Sequence, residues 1–362
     1  MTMVRRVMGR WLAIGFVLVA GMGLALAASL SPIPEARSLE KGTLMAVPFD
    51  MGSLQAKWRE RIAGVRATGK LPIIDIESSF GGGKFNPARY AALMDESGIA
   101  LTAFSAEAGR WDERTRILMA ADPTRYIPTT GAGIPPWWPG QAEKLLGEVA
   151  DAVRAHRYPL MGEFEFRHYP SPRQIQRKET DRDITVPIDG PLGHQLFRLA
   201  EETGVPFEIH YEVEDALLPP LEKMLVQYPR AKVIWCHLAQ IRYQSRSVIY
   251  GPDYIRKLLE IHPNLYFDTA FGGPRSIYPG SNEPHARIWD RSGGKGIQPG
   301  WAALIAAHPY RFLAAMDIGG DRMESVGEWA KNLRDFLDTL PEPTREVVAH
   351  KAAWKLLFNE EL

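Results

Sequence analysis

Two histidines carry the strongest chemical signal in this sequence. Each closes a short strand-like run, Phe207-Glu208-Ile209-His210-Tyr211-Glu212-Val213 and Val233-Ile234-Trp235-Cys236-His237-Leu238. Imidazole nitrogens on neighbouring strand ends can share one metal ion. A single strand histidine is more often a satisfied core residue, so the signal depends on what brings the two together. Between the runs lies a helical pattern, Leu217 to Tyr228, with Pro219-Pro220 near its start. A β-α-β unit lays its strands parallel with a right-handed crossover, so both histidines leave the same end of one sheet.

Carboxylates recur at comparable places. In Met161-Gly162-Glu163-Phe164-Glu165-Phe166-Arg167-His168 the phenylalanines alternate with charges. Phe164 and Phe166 are expected to face helices, leaving Glu163, Glu165 and Arg167 inside, where charge is costly unless paired or bound to a cation. A register shift of one residue exchanges the faces, so the sequence leaves open whether Glu163 or Glu165 is the inward ligand. An earlier strand, Leu71 to Ser79, places Asp75, Glu77 and Ser79 on one face and Ile74 and Ile76 on the other. Asp317 ends the last strand, Arg311 to Asp317. Cys236 is the single cysteine, which excludes an internal disulfide. Alternation puts it on the face opposite His237, as core packing rather than ligand or nucleophile.

These strands belong to a regular alternation. Strand patterns at 71–79, 100–104, 125–129, 159–168, 207–213, 233–238, 265–270 and 311–317 are separated by helical ones. The alternation indicates a parallel α/β architecture, and the count of eight a closed (β/α)8 TIM barrel over residues 71–362. Residues 29–70 form a lead-in ending in an amphipathic helix, with Leu54, Trp58, Ile62 and Val65 on one side, expected to close the barrel bottom. Gly81-Gly82-Gly83-Lys84 lacks the spacing of a phosphate-binding loop.

Two long connections, Tyr169 to Gly190 and Phe271 to Gly300, carry Arg173, Arg177, Lys178, Arg182, Arg275, Arg287 and Arg291. Together with the aromatic corner at Trp137 and Trp138, they suggest either walls for a small anionic or ring-bearing substrate or solvated loop charge. Lys plus Arg and Asp plus Glu each number 43, so no charge excess points to nucleic acid. Residues 1–28 place Arg5, Arg6 and Arg10 before an apolar run that ends in Ala25-Leu26-Ala27-Ala28. This is the pattern of a signal peptide, or of an uncleaved anchor, and it implies export, to the periplasm in a bacterium. Oligomeric state leaves no signal here.

Taken in order, these features resemble the amidohydrolase superfamily, in its amidohydrolase-related branch of TIM-barrel metal-dependent hydrolases. The resemblance covers about Leu71 to Phe358. It rests on Ile74-Asp75-Ile76, Gly162-Glu163, His210, His237-Leu238, Asn264-Leu265-Tyr266-Phe267-Asp268-Thr269, Asp317 and Ala352-Ala353-Trp354-Lys355-Leu356-Leu357-Phe358. The family's first-strand His-x-His falls at Glu77 and Ser79, so the resemblance implies one retained metal site and one lost. It implies Glu163, His210 and His237 as ligands of a single divalent ion such as zinc, with Asp317 at the metal and acting as general base. His237 and Glu77 join the catalytic set, Glu77 as an added ligand or as hydrogen-bond partner of Asp317. Glu165, Glu212 and Arg167, with Trp137 and Arg275 on the loops, are candidate contacts to the metal ligands or substrate. The implied reaction is cleavage of an amide, ester or lactone bond. The alternatives are a metal-independent lactonase or decarboxylase on the same fold, or a non-catalytic barrel that binds a small carboxylate.

Overall fold

Strict apolar alternation on the helix-facing side of successive strands builds a ring of parallel strands. In the computed structural model, which describes residues 48–362 apart from 81–84, 107–110, 132–140, 156–157, 240–241, 285–286 and 293–295, the described strands of the ring are β1 Ile73–Phe80, β2 Ile99–Ala106, β3 Tyr126–Pro128, β4 Met161–His168, β5 Phe207–Tyr211, β6 Val233–Trp235, β7 Leu265–Asp268 and β8 Phe312–Leu313. They fall into two parallel arcs, β1-β2-β3 and β4-β5-β6-β7-β8. Both seams between the arcs are bridged, by Thr129 against Leu160 and by Ser78 against Ile318. Further bonds tie β1 to the residues after β8: Ile76 N to Ala314 O at 2.9 Å, Asp317 N to Glu77 O at 2.9 Å and Ser79 N to Ile318 O at 3.0 Å. The fold is the expected TIM barrel.

Local signals set the element ends. Asn86 caps the helix Pro87–Ser97 by accepting from Arg89 N at 3.0 Å, and Gly98 ends it at φ 69. Phe164 and Phe166 of β4 are fully buried against the helical layer. Gly162 matters for close approach, because a Cβ there would lie 2.8 Å from Thr130 O; only glycine lets the end of β3 come so near the strand that carries Glu163. The lead-in helix Met51–Ala67 buries Leu54, Trp58, Ile62 and Val65. Its Trp58 indole donates to Pro123 O at 3.0 Å and its Arg61 guanidinium to Ala100 O at 2.6 Å, which seats it beneath the N-terminal ends of β2 and β3.

Three expectations change. The run 233–238 does not continue as a strand: β6 stops at Trp235 and Cys236–Leu238 forms a tight turn. The last strand keeps two ladder residues and continues as irregular chain bonded to β1. The connection after β4 has structure of its own, a helix Pro172–Arg177 capped by Ser171 and a short strand Ile184–Thr185 that pairs antiparallel with Arg167 and His168. The segments 1–28 and 81–84, and Trp137, lie outside the described residues.

Candidate metal centre

Glu163 of β4, His210 near the end of β5 and His237 in the turn after β6 meet inside the barrel. Glu163 Oε1 lies 2.9 Å from His210 Nδ1 and 3.0 Å from His237 Nε2, and the two ring nitrogens are 3.1 Å apart. Tetrahedral zinc with ligands at about 2.0–2.1 Å sets its donors roughly 3.3 Å apart. The three donors therefore need to separate by only a few tenths of an ångström to accept an ion. Each ring presents its other nitrogen to a carboxylate: His210 Nε2 to Glu212 Oε1 at 3.3 Å, and His237 Nδ1 to Glu77 Oε2 at 3.4 Å. Glu212 accepts at the far nitrogen of His210, whereas Glu77 stands at ion-pair distance from that of His237 without a hydrogen bond. On the register question, Glu163 is the carboxylate that faces the two histidines, and Glu165 is on Arg182.

The turn after β6 aims His237. His237, Leu238 and Ala239 all have left-handed backbone, with φ of 59, 50 and 56, costly for residues with a Cβ. Asp268 at the end of β7 holds it, Oδ1 accepting from His237 N at 2.8 Å and from Ala270 N at 2.9 Å. The same turn cancels strand alternation. Cys236, expected on the outer face, offers a donor within 4.8 Å of those of Glu77 and Glu163 and so lies inside the barrel.

Electrostatics bind the group together. Burial alone would raise the Glu163 carboxyl, but His210 and His237 beside it hold it well below the usual range. Burial would lower both imidazoles, yet Glu163 holds His210 above its ordinary value and His237 at about 9. Glu77 moves the other way, raised by burial and then by the charges of Glu163, Asp268 and Asp317. Among the described residues, Asp75, Glu77, Glu163, Glu208 and Asp268 are carboxylates of the barrel interior with no arginine or lysine in ion-pair distance. Asp75 is satisfied otherwise: it accepts from Ser78 Oγ at 2.6 Å and Met316 N at 2.8 Å, and burial pushes it up to about 8.

Other predicted residues take different places. Asp317 belongs to no ligand set among the described residues: its backbone is left-handed, φ 48, and its side chain, 36% exposed, accepts from Arg322 Nη2 at 3.1 Å. The turn after the strand carries it to the rim, away from the Glu163-His210-His237 cluster. Glu77 meets His237 rather than Asp317 by side chain. Glu212 is fully buried between His210 and Arg242, whose Nε is 3.0 Å away. Glu165 is buried on Arg182 of the loop, and this partner leaves it at about 7 against the stronger effect of burial. Arg167 ties down the same loop, donating to Asp183 at 2.6 Å and Glu214 at 2.9 Å, and is not presented to a substrate. Arg275 is exposed. The sequence reading missed the clamp of Asp268, the buried Glu208 and the inward Cys236. Asp268 stood in the strand-seven match without a role, and Glu208 shares strand parity with His210.

A family model described as amidohydrolase matches residues 77–357. The chain belongs to the amidohydrolase family. Solved structures similar to this member include 5-carboxyvanillate decarboxylase from Sphingomonas paucimobilis, at 14% identity and TM-score 0.45, covering 80% of this chain and 99% of that one. A zinc-bound amidohydrolase from Burkholderia multivorans is 13% identical with TM-score 0.40, covering 79% and 98%. A TatD homologue from Escherichia coli K12 is 15% identical with TM-score 0.47, covering 80% and 98%. No curated protein matches the chain.

Proposed function

We propose that this amidohydrolase-family chain is an exported hydrolase that uses a divalent ion held by Glu163, His210 and His237 to cleave an amide, ester or lactone bond in a small substrate of anionic character. The observation that carries the reading is the mutual approach of Glu163 Oε1, His210 Nδ1 and His237 Nε2 to within 3.1 Å, with a carboxylate behind each ring. An N,N,O donor set is the chemistry of catalytic zinc sites, whose fourth position goes to water or substrate.

A bound ion supplies Lewis acidity toward a carbonyl and a water made acidic near neutral pH. The chain supplies the rest. Glu212 and Glu77 stand beside the far nitrogens and orient the rings, so that the near nitrogens can exchange their protons for an ion. Asp317, on the rim and oriented by Arg322, is the general base, taking a proton from water and returning it to the leaving group. Burial of the three donors beneath this rim limits bulk water at the reacting centre.

The test is elemental analysis of the full chain purified without chelator, beside a His210→Ala, His237→Ala double variant, followed by an ester and lactone screen. About one zinc-like ion or more per chain, lost with turnover in the variant, is expected. Turnover that persists in the metal-free variant overturns the reading and leaves a metal-independent lactonase or decarboxylase. Ligand-induced thermal stabilisation without metal or turnover identifies a carboxylate-binding barrel. Cell fractionation tests export: the chain is expected outside the cytoplasm, and retention there overturns it.

A further inference from the structure

His210 is reached from the loops through a single carboxylate oxygen. Glu212 Oε1 stands 3.3 Å from His210 Nε2 and 3.0 Å from Arg242 Nε, so one atom serves an imidazole of the donor set and a guanidinium from the connection after β6. Glu212 and Arg242 are both buried, at 0% and 4% exposed. A buried carboxylate held between two such groups keeps its direction only while both stay in place. Arg242 is fixed in turn by two other connections. Its guanidinium donates to Tyr169 O, just past β4, and lies 5.8 Å from the ring centroid of Tyr278 in the connection after β7. Its own carbonyl accepts from Ser281 Oγ at 2.7 Å, and Tyr278 joins the two connections by donating to Pro170 O at 2.8 Å. The two long loops thus meet on the residue that holds Glu212. Arg246, four residues on, gives the contrast: it donates to the Tyr169 hydroxyl and lies 3.7 Å from Glu214, and among the described residues it meets neither Glu212 nor His210.

Building on the reading of Glu163, His210 and His237 as a metal centre, we propose that Arg242 is a positioning residue for it. Acting through Glu212, Arg242 sets the orientation of His210, so affinity for the ion depends on how the loops after β4 and β7 are seated. The guanidinium suits this task because its planar fork can hold a carboxylate with one edge and a loop carbonyl with another, in one fixed geometry. The coupling runs both ways: whatever the seated loops add to ion affinity, the bound ion adds to the seating of the loops.

Zinc affinity of the full chain, measured by chelator competition, tests this role. Arg242→Met is expected to weaken zinc binding by about 10-fold or more, and Arg242→Lys, which keeps a cation beside Glu212 without the fork, to retain part of the affinity. Arg246→Met loosens the same loops without touching Glu212 and is expected to leave zinc affinity unchanged. In a Glu212→Gln background Arg242→Met is expected to add little, because the guanidinium acts through that carboxylate. Wild-type zinc binding that Arg242→Met does not weaken overturns the role of Arg242 and leaves the metal centre standing. Equal losses in Arg242→Met and Arg246→Met, or additive losses in the Glu212→Gln background, overturn it as well, since they mark general loosening of the loops. A wild-type chain that binds no zinc overturns the metal reading itself, and this role with it. If Arg242→Met does not fold, Arg242→Lys set against Arg246→Met decides: a loss confined to the lysine variant is expected, and equal affinities overturn the role.

Discussion

The molecule buries a histidine beside a glutamate at each end of the barrel, and the two pairs behave in opposite ways. At the C-terminal end His237 lies 3.0 Å from Glu163 and is held at about 9 against the opposing effect of burial. On the closing helix His350 lies 3.7 Å from Glu346, yet burial, with Arg66 and Lys351 opposing Glu346, pushes it down to about 4. The difference lies in who else serves the carboxylate. Glu346 already meets Arg66 at 2.5 Å and Lys351 at 2.8 Å, and Arg66 donates to His350 Nε2 at 3.0 Å, which favours the neutral ring. Among the described residues Glu163 meets no such cation, so its charge falls on the two imidazoles, or on an ion that replaces their protons. A buried Glu-His pair is structural where fixed cations saturate the acid and a candidate site where they do not.

The contrast is tested most severely by removing the imidazoles at one end. His210→Ala with His237→Ala is expected to lower divalent-metal affinity by on the order of 100-fold or more, read by chelator competition, while His350→Gln leaves it unchanged. Next comes a glutamate that does have its cation. Arg182→Met strands Glu165 in the interior and is expected to cost about 3–5 kcal/mol in urea unfolding, with part recovered by adding Glu165→Gln. An Arg182→Met loss under about 1 kcal/mol would show that this pair does not behave as a buried one.

The pH dependence of His350 is a smaller effect with a defined sign. Its folded value of about 4 lies below the ordinary 6.5, so on acidification the unfolded chain takes up the proton first. This contribution to stability is complete above the unfolded value and is lost as pH falls from about 6.5 toward 4. The wild type should therefore lose more Tm between those limits than His350→Gln; parallel curves would show that His350 is not held neutral. Arg275→Ala should change stability by less than about 0.5 kcal/mol, as an exposed loop residue. A large fall in substrate affinity in that variant would return Arg275 to the binding wall.

The barrel and the meeting of Glu163, His210 and His237 were legible because both depend on order along the chain. Alternating strands and helices gave the ring, and β-α-β geometry places His210 and His237 at one end of the sheet whatever the loops do. What stayed hidden depends on irregular backbone. Nothing in Trp235-Cys236-His237 announces that the strand stops at Trp235, so parity sent Cys236 outward. Loop partners were hidden as well: Arg182 and Arg242 come from connections without periodicity, and only the folded chain shows that they neutralise Glu165 and Glu212. Asp317 follows the two-residue strand Phe312–Leu313 as irregular chain, and its own left-handed backbone turns it to the rim. That residue is non-glycine, the kind of backbone departure sequence patterns do not report.

The two arcs of the ring give the members of the cluster unequal mechanical meaning. Glu163, His210 and His237 all stand on the five-strand arc, so an ion among them would fasten neighbours that already share a ladder. Glu77 belongs to the three-strand arc, and its carboxylate reaches His237 of the other arc across 3.4 Å. That contact works as a buckle, so the hoop is cinched from within by the same atoms that surround its chemistry.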